Sequence, residues 1–361
     1  MAEMHMVPAG TLEDLTRRIF VAAGTPEDLA AHVARHLVKA NLSGHDSHGI
    51  IRIPAYIQQT KSGRLDASAR PEVVKDLPSA AVVDGKRGFG QVAASFAMDV
   101  AMRKAGETGA GVVAVRHCNH IGRLGDYSEQ AAERGYLAIV SYGSAGPGGG
   151  HSAPFGGAQR HFGTNPISLG VPGKETTPMV VDFATTVVAE GKIQVARAKH
   201  AQLPPGSIVD KEGKPSTNPE DFYAGGMILP FGGHKGYGLS LWTALIGAGL
   251  TAESPATEGK GGGVVVMAID PRAFTDEDAY TGTIDNMAAA VKTVPTAQGF
   301  DEVMLPGGPE AKSRAERNKN GVPVPTDTWD AIAGAAQELG VEMPKSSKGR
   351  SAPNHALLAT H

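Results

Sequence analysis

The stretch Gly44-His45-Asp46-Ser47-His48-Gly49-Ile50-Ile51-Arg52 places an unusual number of protonatable side chains in nine positions, and the rest of the chain is organised around it. Before it, residues 26–42 carry apolar side chains at a helical period, and Gly44 is the kind of residue that ends a helix in a left-handed turn. After it, apolar residues recur at intervals of three and four, which predicts a second helix beginning near His48. We therefore expect this stretch to join two helices and to form the chemical centre.

The spacing within the stretch suits one small ligand. His48 and Arg52 are four residues apart, so on a single helix both side chains would reach the same molecule. Arg52 can hold a carboxylate with its two-pronged guanidinium, while His48 can give a proton to the neighbouring carbonyl oxygen as it is reduced, with Ser47 orienting the ring. This pairing favours a 2-oxo acid. The alternative is that Arg52 is a solvated helix residue, His48 a cap and Asp46 an N-cap.

The composition limits the class of protein. At 361 residues the chain is long enough for two closely joined domains, since single cores rarely grow past about 250 to 300 residues. Its 47 glycines favour an enzyme-like chain with many tight turns over a helical bundle. The net charge of −3 predicts no nucleic-acid partner, and no apolar run is long enough to span a membrane. The single cysteine, Cys118, fits a cytoplasmic location.

The order of predicted elements divides the chain into three parts. Residues 1–75 are expected to form a helical layer with the catalytic segment, completed by residues 300–345. Residues 76–299, in which predicted strands and helices alternate around a glycine- and proline-rich loop system, are expected to bind cofactor and substrate. Residues 346–361 are rich in serine, lysine and glycine and are expected to be a loose tail.

A dinucleotide fingerprint is only partly present. Gly88-Phe89-Gly90-Gln91-Val92-Ala93 follows a predicted strand and opens a predicted helix, as G-x-G-x-x-A does in a Rossmann fold. However, Arg116 and His117 stand where an acidic residue would meet the ribose hydroxyls. The Rossmann interpretation is therefore disfavoured.

Two other kinds of site are also disfavoured. The pairs His45/His48 and His117/His120 are not followed by the carboxylate or thiolate spacing that would complete a metal site, so we predict no metal. A hydrolase built on Ser47 and His48 would need neighbouring side chains to hydrogen-bond as nucleophile and base, which adjacent residues at a helix start do not easily do.

Two glycine-flanked helix starts resemble anion sites. At His234-Lys235, free backbone N–H groups and a lysine ammonium suit a cofactor phosphate, although an exposed surface lysine is the alternative. The segment Leu305-Pro306-Gly307-Gly308-Pro309, with Arg314 and Arg317 on the helix that follows, is a second candidate. On its own this second segment would be only a turn and a solvated helix face.

Several separate motifs occur in one order. They are Ala40-Asn41-Leu42-Ser43-Gly44-His45-Asp46-Ser47-His48-Gly49, Asn119-His120-Ile121-Gly122-Arg123, Phe162-Gly163-Thr164-Asn165-Pro166, Asp182-Phe183-Ala184-Thr185-Thr186 and His234-Lys235-Gly236-Tyr237. In this order they resemble the non-Rossmann malate/L-lactate dehydrogenase family, which includes ureidoglycolate and sulfolactate dehydrogenases and the ketimine reductases. The first two motifs, with Leu305-Pro306-Gly307 and Arg314, look most like the hydroxycarboxylate dehydrogenase branch. The likeness covers residues 11–339.

The resemblance implies a fold and an activity. The fold would be α/β (α+β), a non-Rossmann NAD(P)-binding fold with a large mixed, mostly antiparallel sheet and a helical N-terminal layer. The activity would be NAD- or NADP-dependent interconversion of a 2-hydroxy acid and a 2-oxo acid, with a small carboxylate as substrate. The resemblance also implies a homodimer whose partner helps to close the cleft.

The resemblance assigns roles residue by residue. Ser47 and His48 match the proton-relay pair, Arg52 the ligand of the substrate carboxylate, and Thr164 a substrate-side position. In ureidoglycolate dehydrogenase the histidine that matches His120 is taken as the base, so either histidine can be the proton donor. The matched cofactor positions are His120, Ile121, Gly122, Arg123, Leu124, Ser144, Asp182, Phe183, Ala184, His234, Lys235, Gly308 and Arg314.

Three questions stay open at this point. Lys192 stands where the ketimine reductases carry an acidic relay residue, which disfavours cyclic-imine reduction, and Lys192 or His120 can stabilise the charge on the reduced oxygen. A dinucleotide-binding protein without catalysis is a further alternative. Such a protein would have no need of the complete set Ser47, His48 and Arg52. Arg123 can meet either a 2′-phosphate or a pyrophosphate, so NAD and NADP are not distinguished.

Overall fold

The computed structural model describes residues 3–147, 149–175, 178–198, 200–252, 261–345 and 347–350. The N-terminal elements are β1 (Glu3–Val7), α1 (Ala9–Ala22), α2 (Glu27–Leu42), two 3₁₀ turns (Asp46–His48 and Ile50–Arg52) and α3 (Ile53–Lys61). They are followed by β2 (Glu72–Asp76), β3 (Ala80–Asp84), α4 (Gly90–Thr108), β4 (Ala110–Arg116), α5 (Gly125–Ala132), β5 (Leu137–Ala145), β6 (Ile167–Val171) and β7 (Met179–Phe183).

The second half of the chain adds smaller elements and returns to the N-terminus. It contains α6 (Glu190–Ala198), β8 (Ile208–Val209), β9 (Pro215–Ser216), α7 (Pro219–Tyr223), β10 (Met227–Ile228), α8 (His234–Thr251) and β11 (Gly261–Ile269). The last elements are a 3₁₀ turn (Pro271–Ala273), α9 (Glu277–Lys292), α10 (Gly308–Asn320), β12 (Val322–Pro325), α11 (Thr326–Glu338) and β13 (Ser347–Arg350).

The main sheet has seven strands in the order β2-β3-β4-β11-β5-β6-β7. Only β3 and β4 pair in parallel, and the other five neighbouring pairs are antiparallel. A Rossmann fold would instead build its nucleotide site on a mostly parallel sheet. The predicted fold class, a large mixed and mostly antiparallel sheet with a helical N-terminal layer, is therefore confirmed.

The partial dinucleotide fingerprint has a structural explanation. It does lie between β3 and α4, as expected from its spacing. A β-carbon on Gly90 would lie 2.2 Å from the Asn119 carbonyl oxygen and 2.4 Å from that of His120. Because Gly90 has no side chain, the loop that contains His120 can pack against the start of α4. In a Rossmann fold, a glycine at this place allows a pyrophosphate to approach instead.

Two apolar cores hold the layers together. One core lies between the N-terminal helices, β12 and α11, and includes Leu12, Leu37, Val322 and Ile332. The other core lies between the main sheet and the helices α4 and α5. Residues near both ends of the chain therefore pack together. They lie beside the N-terminal helices that flank residues 44–52, the catalytic segment.

The segment after α2 differs from its prediction. The α-helix that follows begins at Ile53 rather than near His48, because Gly49 is extended (φ −89°, ψ −151°) and separates two short 3₁₀ turns. A β-carbon on Gly49 would lie 2.1 Å from Asn41 Oδ1, so glycine is needed for this close approach. His48 and Arg52 consequently do not share one α-helix.

The C-terminal tail also differs in part. Ser347–Arg350 forms a strand that pairs antiparallel with β1, so the prediction of a loose tail from residue 346 is wrong for these four residues. A polar strand can add to a sheet because the pairing uses backbone N–H and C=O groups. Residues 346 and 351–361 of the predicted tail lie outside the described residues.

Helix α8 rests directly on the main sheet. A β-carbon on Gly143 of β5 would lie 2.0 Å from the Thr243 carbonyl oxygen of α8, and one on Gly247 would lie 2.7 Å from the Gly263 carbonyl oxygen of β11. These contacts position the start of α8, and with it His234 and Lys235. Although α8 is rich in apolar residues, no helix in the described part of the chain is long and apolar enough to cross a membrane.

Candidate active site

The catalytic segment is held from behind by Asn41 and Asp46. Asn41 Oδ1 accepts a hydrogen bond from the Ile50 amide at 2.9 Å, and its Nδ2 donates to Asp46 Oδ1 at 2.6 Å. The N-cap position of the turn Asp46–His48 is held by His45, and Asp46 is the first residue of the turn itself. The N-cap alternative for Asp46 is therefore wrong, since its carboxylate is used to fix the segment.

One face of α10 clamps this segment. Four residues of α10, spaced so that they share one helical face, each contact a residue between positions 41 and 46. Glu310 Oε1 lies 3.2 Å from His45 Nε2, and Ser313 Oγ donates to the Leu42 carbonyl at 2.8 Å. Arg314 Nη1 donates to Ser43 Oγ at 3.1 Å. Arg317 donates to both carboxylate oxygens of Asp46, at 2.6 and 3.0 Å. The clamp fixes the backbone from which the catalytic side chains project.

The side chains of Ser47 and His48 lie in contact. Ser47 Oγ and His48 Nδ1 lie 3.0 Å apart, within hydrogen-bond distance. The argument that neighbouring side chains cannot easily make such a bond is wrong for this pair, because the 3₁₀ turn that holds both residues differs from the predicted α-helix. The bond ties the ring through Nδ1, which leaves Nε2 for a ligand.

His120 lies beside His48. The two rings are nearly parallel, with centroids 5.4 Å apart and an interplanar angle of 17°. Tyr56 Oη lies 2.7 Å from His120 Nδ1, and Gln91 Nε2 donates to Tyr56 Oη at 2.9 Å. Both histidines thus have Nδ1 engaged by a hydroxyl, and neither Nε2 has a hydrogen-bond partner among the described residues.

The surroundings disfavour a charge on either imidazole. Burial, and then the charge of Arg52, lowers the pKa of His48 to about 4. Burial deep in the protein, and then His48, lowers the pKa of His120 well below its usual value. The His120 residue is nevertheless exposed, so we expect the full desolvation only when ligands cover the ring. The lowered pKa values of His48 and His120 favour the neutral form of both rings at pH 7.

Arg52 has the charge that the two histidines lack. Its Nε donates to the Ser47 carbonyl at 2.6 Å, which aims the guanidinium. Among the described residues, neither terminal nitrogen of Arg52 has a hydrogen-bond partner, and no carboxylate lies within ion-pair distance. Although it is not on the same helix as His48, its charge acts on that ring. A free two-pronged cation beside two neutral imidazoles suits a carboxylate with an adjacent oxygen.

Arg123 does not present its charge to a ligand. Its guanidinium is 3% exposed, donates to Asp126 at 2.8 Å, and lies 3.7 Å from Glu129 and 3.8 Å from Asp182. Buried carboxylates already neutralise this charge, which disfavours the predicted contact with a cofactor phosphate. Its place in the fold is to join the loop after His120 to the end of β7.

Several predicted cofactor positions do meet at the end of β7. The Asp182 carboxylate accepts a hydrogen bond from the Gly125 amide at 2.7 Å, and the Phe183 ring lies 5.6 Å from that of Phe231. Next to them, the Thr164 carbonyl accepts hydrogen bonds from Thr185, whose own carbonyl accepts from the Phe231 amide. Three motifs far apart in sequence, at 162–166, 182–186 and 231–235, therefore converge here.

Other predicted cofactor positions differ in which of their atoms could contact a ligand. The side chains of Ile121 and Leu124 are buried, so together with Gly122 they can offer a ligand only their backbone. Ser144 donates its amide to Asn165 Oδ1 at 2.9 Å, and Ala184 is half-buried beside Phe183. His234 and Lys235 are exposed at the start of α8.

The remaining predicted residues lie on α10 and α6. Gly308 begins α10, and Arg314 pairs with Glu129 at 3.1 Å, so this cation is also engaged. Lys192 is exposed in the first turn of α6. The preceding residue, Gly191, approaches the catalytic segment, since a β-carbon there would lie 3.4 Å from Ser47 Cβ.

The residues that support the site were not predicted from the sequence. Tyr56 lies four residues after Arg52, a spacing that places it on the same side of that turn and helix and could have indicated it. Gln91 was hidden inside the glycine fingerprint, and Asn165 inside a motif. Asn165 is buried and links Ser144 to Ser240, with which its amide makes two hydrogen bonds of 3.0 Å. Within the described residues, no group of three or more His, Cys, Asp or Glu side chains is placed to hold a metal ion.

Comparison with known proteins gives the family. The model of the family described as malate/L-lactate dehydrogenase matches residues 7–333. Hydroxycarboxylate dehydrogenase B of Escherichia coli (strain K12) is 35% identical over 351 residues, which cover 94% of this chain and 96% of that protein. The Delta(1)-pyrroline-2-carboxylate/Delta(1)-piperideine-2-carboxylate reductase of Pseudomonas syringae pv. tomato is 35% identical over 322 residues, which cover 86% of this chain and 90% of that protein.

A solved structure agrees with these matches. The structure of malate dehydrogenase from Pyrococcus horikoshii OT3 superposes with a TM-score of 0.85 at 31% identity, and the match covers 94% of this chain and 97% of that one. The resemblance carried by the catalytic segment and the motifs around β7 is thereby confirmed. The chain belongs to the malate/L-lactate dehydrogenase family and is a hydroxy-acid dehydrogenase.

Proposed function

We propose that this enzyme interconverts a small 2-hydroxy acid and the matching 2-oxo acid, with NAD or NADP as the hydride carrier. The observation that carries the proposal is the free guanidinium of Arg52 beside the paired rings of His48 and His120. A carboxylate on Arg52 places the neighbouring oxygen within reach of the imidazoles. This arrangement selects a substrate with a carboxylate next to a carbonyl or hydroxyl carbon.

The residues of the site divide the work in the reduction direction. Arg52 holds the carboxylate and fixes which face of the carbonyl is presented, with Thr164 on the substrate side. His48, oriented by Ser47, gives a proton to the carbonyl oxygen, and in the reverse direction takes the hydroxyl proton. His120 or Lys192 stabilises the developing negative charge on that oxygen. When bound, the nicotinamide supplies or accepts the hydride.

The start of α8 supports the proposal of a cofactor site. Lys235 has no partner among the described residues and stands at the start of the 18-residue helix α8, where backbone N–H groups and the helix dipole favour an anion. Gly232 and Gly233 have φ values of 55° and 63°, which open the turn in front of that helix. We infer that His234 and Lys235 hold the cofactor phosphates, and that Ser144, Asp182 and the loop after His120 complete the site.

Cyclic-imine reduction is the second candidate. It is favoured by the 35% identity to the pyrroline- and piperideine-carboxylate reductase, whose substrates also carry a carboxylate next to the reduced carbon. Lys192 argues against imine reduction. This cation follows Gly191, the residue in the first turn of α6 that approaches Ser47. A nearby cation disfavours a positively charged iminium, whereas it stabilises the oxyanion that forms from a 2-oxo acid.

We further propose that the enzyme is a homodimer in the cytoplasm. Trp242, Leu245 and Leu250 of α8 are 43%, 63% and 52% exposed, and Met287 of α9 is 63% exposed. Apolar side chains exposed together on a helix mark contact surfaces, and a second copy of the chain would cover them. The single cysteine supports a reducing compartment. Light scattering during gel filtration tests the dimer, and a monomeric mass at micromolar concentration would contradict it.

A substrate screen tests the proposed activity. The absorbance of the reduced nicotinamide is followed with a panel of 2-oxo acids and with one cyclic imine carboxylate, each in the presence of NADH and of NADPH. We expect turnover of at least one 2-oxo acid and a preference for it over the imine in competition. Turnover of the imine alone would favour the second candidate, and no turnover of any compound with either cofactor would reject both.

A further inference from the structure

The rings of His48 and His120 lie side by side, but they are held by different partners. His48 is bonded at Nδ1 to the hydroxyl of Ser47, and His120 is bonded at Nδ1 to the hydroxyl of Tyr56. The Ser47 hydroxyl is partly accessible and makes no other hydrogen bond among the described residues. The Tyr56 hydroxyl is buried and has a second bond, from Gln91.

The bond from Gln91 sets the direction of the chain of hydrogen bonds. An amide nitrogen can only donate, so the Tyr56 oxygen accepts from Gln91 Nε2 at 2.9 Å. The single hydroxyl proton of Tyr56 is then directed to His120 Nδ1 at 2.7 Å. A ring nitrogen that accepts a hydrogen bond carries no proton. We propose that Gln91 and Tyr56 hold His120 as the neutral imidazole with its proton on Nε2, so that His120 donates a hydrogen bond to the substrate oxygen while His48 transfers the proton.

The surroundings keep this arrangement in place. Gln91 is 0% exposed and Tyr56 is 2% exposed, so water cannot substitute for either partner. The rings of Phe20 and Phe89 lie 6.4 and 6.1 Å from that of Tyr56, which restricts its movement. Burial also raises the pKa of Tyr56 to about 12, so the hydroxyl keeps its proton.

The same geometry disfavours a proton on Nδ1 of His120. With both ring nitrogens protonated, the Tyr56 oxygen would have to accept from His120 as well as from Gln91, and the hydroxyl proton would face no acceptor. A buried unsatisfied donor is unfavourable. Ser47 imposes no such constraint, because its rotatable hydroxyl can accept from a charged His48 or donate to a neutral one. The proton therefore moves through His48, and Tyr56 and Gln91 are positioning residues.

This inference rests on the proposed function for its chemistry, but its main test does not need turnover. In the full-length protein labelled with ¹⁵N-histidine, the ¹⁵N shifts of His120 distinguish a protonated from an unprotonated ring nitrogen, and His120→Ala assigns the signals. We expect the proton on Nε2 at pH 7. A proton on Nδ1 would overturn the proposal, since it would mean that Tyr56 accepts from His120 and donates to the Gln91 amide oxygen.

Two variants extend the test. Tyr56→Phe removes only the hydroxyl, and we expect a mixture of His120 tautomers, a loss of kcat of at least about tenfold and little change in KM. Gln91→Glu replaces the donor by an acceptor, and we expect it to reverse the chain of bonds and move the proton to Nδ1. Unchanged ¹⁵N shifts in both folded variants would overturn the proposal. If neither 2-oxo acids nor the imine are turned over by the unmutated enzyme, the proposed function fails while the tautomer measurement still decides this inference.

Discussion

The guanidinium of Arg317 grips the carboxylate of Asp46 with two hydrogen bonds of 2.6 and 3.0 Å, and so ties α10 to the turn that carries His48. Arg317 also donates to the Asn41 carbonyl at the end of α2. The arginine is 8% exposed, whereas the Asp46 side chain is 45% exposed, so the pair is shielded from solvent on the arginine side only. The catalytic segment is therefore held by a residue of the C-terminal part of the chain.

Replacing Arg317 by lysine should weaken this clamp. A single ammonium cannot reproduce the two parallel bonds and the third to Asn41, and we expect a loss of roughly 1.5 to 3 kcal/mol in the free energy of unfolding. Because Ser47 and His48 follow Asp46 directly, kcat should also fall. Denaturant unfolding and steady-state kinetics measure both quantities. Lys319→Ala, an exposed position on the same helix, is the matched control, and an equal effect of the two substitutions would contradict the clamp.

Replacing Arg52 by lysine should weaken substrate binding. Lysine keeps the charge but loses the planar two-point grip on a carboxylate, a difference of about 1.5 to 3 kcal/mol. We expect the KM for the 2-oxo acid to rise by roughly tenfold to a hundredfold, with the affinity for the cofactor almost unchanged. Initial rates give the former and fluorescence titration of the reduced cofactor gives the latter. An unchanged substrate KM would show that Arg52 has a structural role.

Replacing His48 by alanine separates the proton donor from a structural residue. Loss of a general acid lowers turnover by about a hundredfold to ten-thousandfold, while folding and cofactor binding should be close to normal. A capping residue would instead lower the melting temperature by the loss of about 1 kcal/mol, with turnover per folded molecule preserved. His120→Ala is measured in parallel. If only the His120 variant loses turnover, His120 is the proton donor.

The pH dependence follows from the neutral state of His48 in the free protein. Its pKa is lowered to about 4, so at pH 7 the ring carries no proton that it can give to a substrate. A bound carboxylate favours the imidazolium and raises this pKa, so substrate binding should be coupled to proton uptake. We expect binding of oxamate, an unreactive 2-oxo acid analogue, to weaken as the pH rises, and reduction to slow above the pKa of His48 in the complex.

Calorimetry in two buffers of different ionisation enthalpy measures this uptake directly. We expect an uptake of close to one proton per site in the unmutated protein and much less in His48→Gln. Equal heats in the two buffers for the unmutated protein would show that no proton is taken up, which would contradict the scheme.

Local features of the site could be predicted well from the sequence. The helix at 27–42 and the density of protonatable groups after it depend on residues that are near one another in the chain, so periodicity and turn chemistry reveal them. The role of Ser47 as the partner of His48 was predicted by the same local reasoning, and the two side chains lie within hydrogen-bond distance.

The errors arose where a neighbour from elsewhere in the fold changes the outcome. The helix after the catalytic segment starts later than predicted because Asn41 fills the space beside Gly49. The charge of Arg123 is visible in the sequence, whereas the carboxylates that neutralise it, among them that of Asp182, are brought to it by folding.

The sequence by itself determined the N-terminal helices, the protonatable side chains of the catalytic segment and the order of the motifs. These features depend on residue types at short spacing. Only the tertiary structure decided which partners hold the catalytic groups. Arg317 lies 271 residues from Asp46, and His120 lies 64 residues from Tyr56. Contacts at such separations are made when packed layers bring distant segments together, and many pairings of charged and polar residues are compatible with one sequence until the fold selects among them.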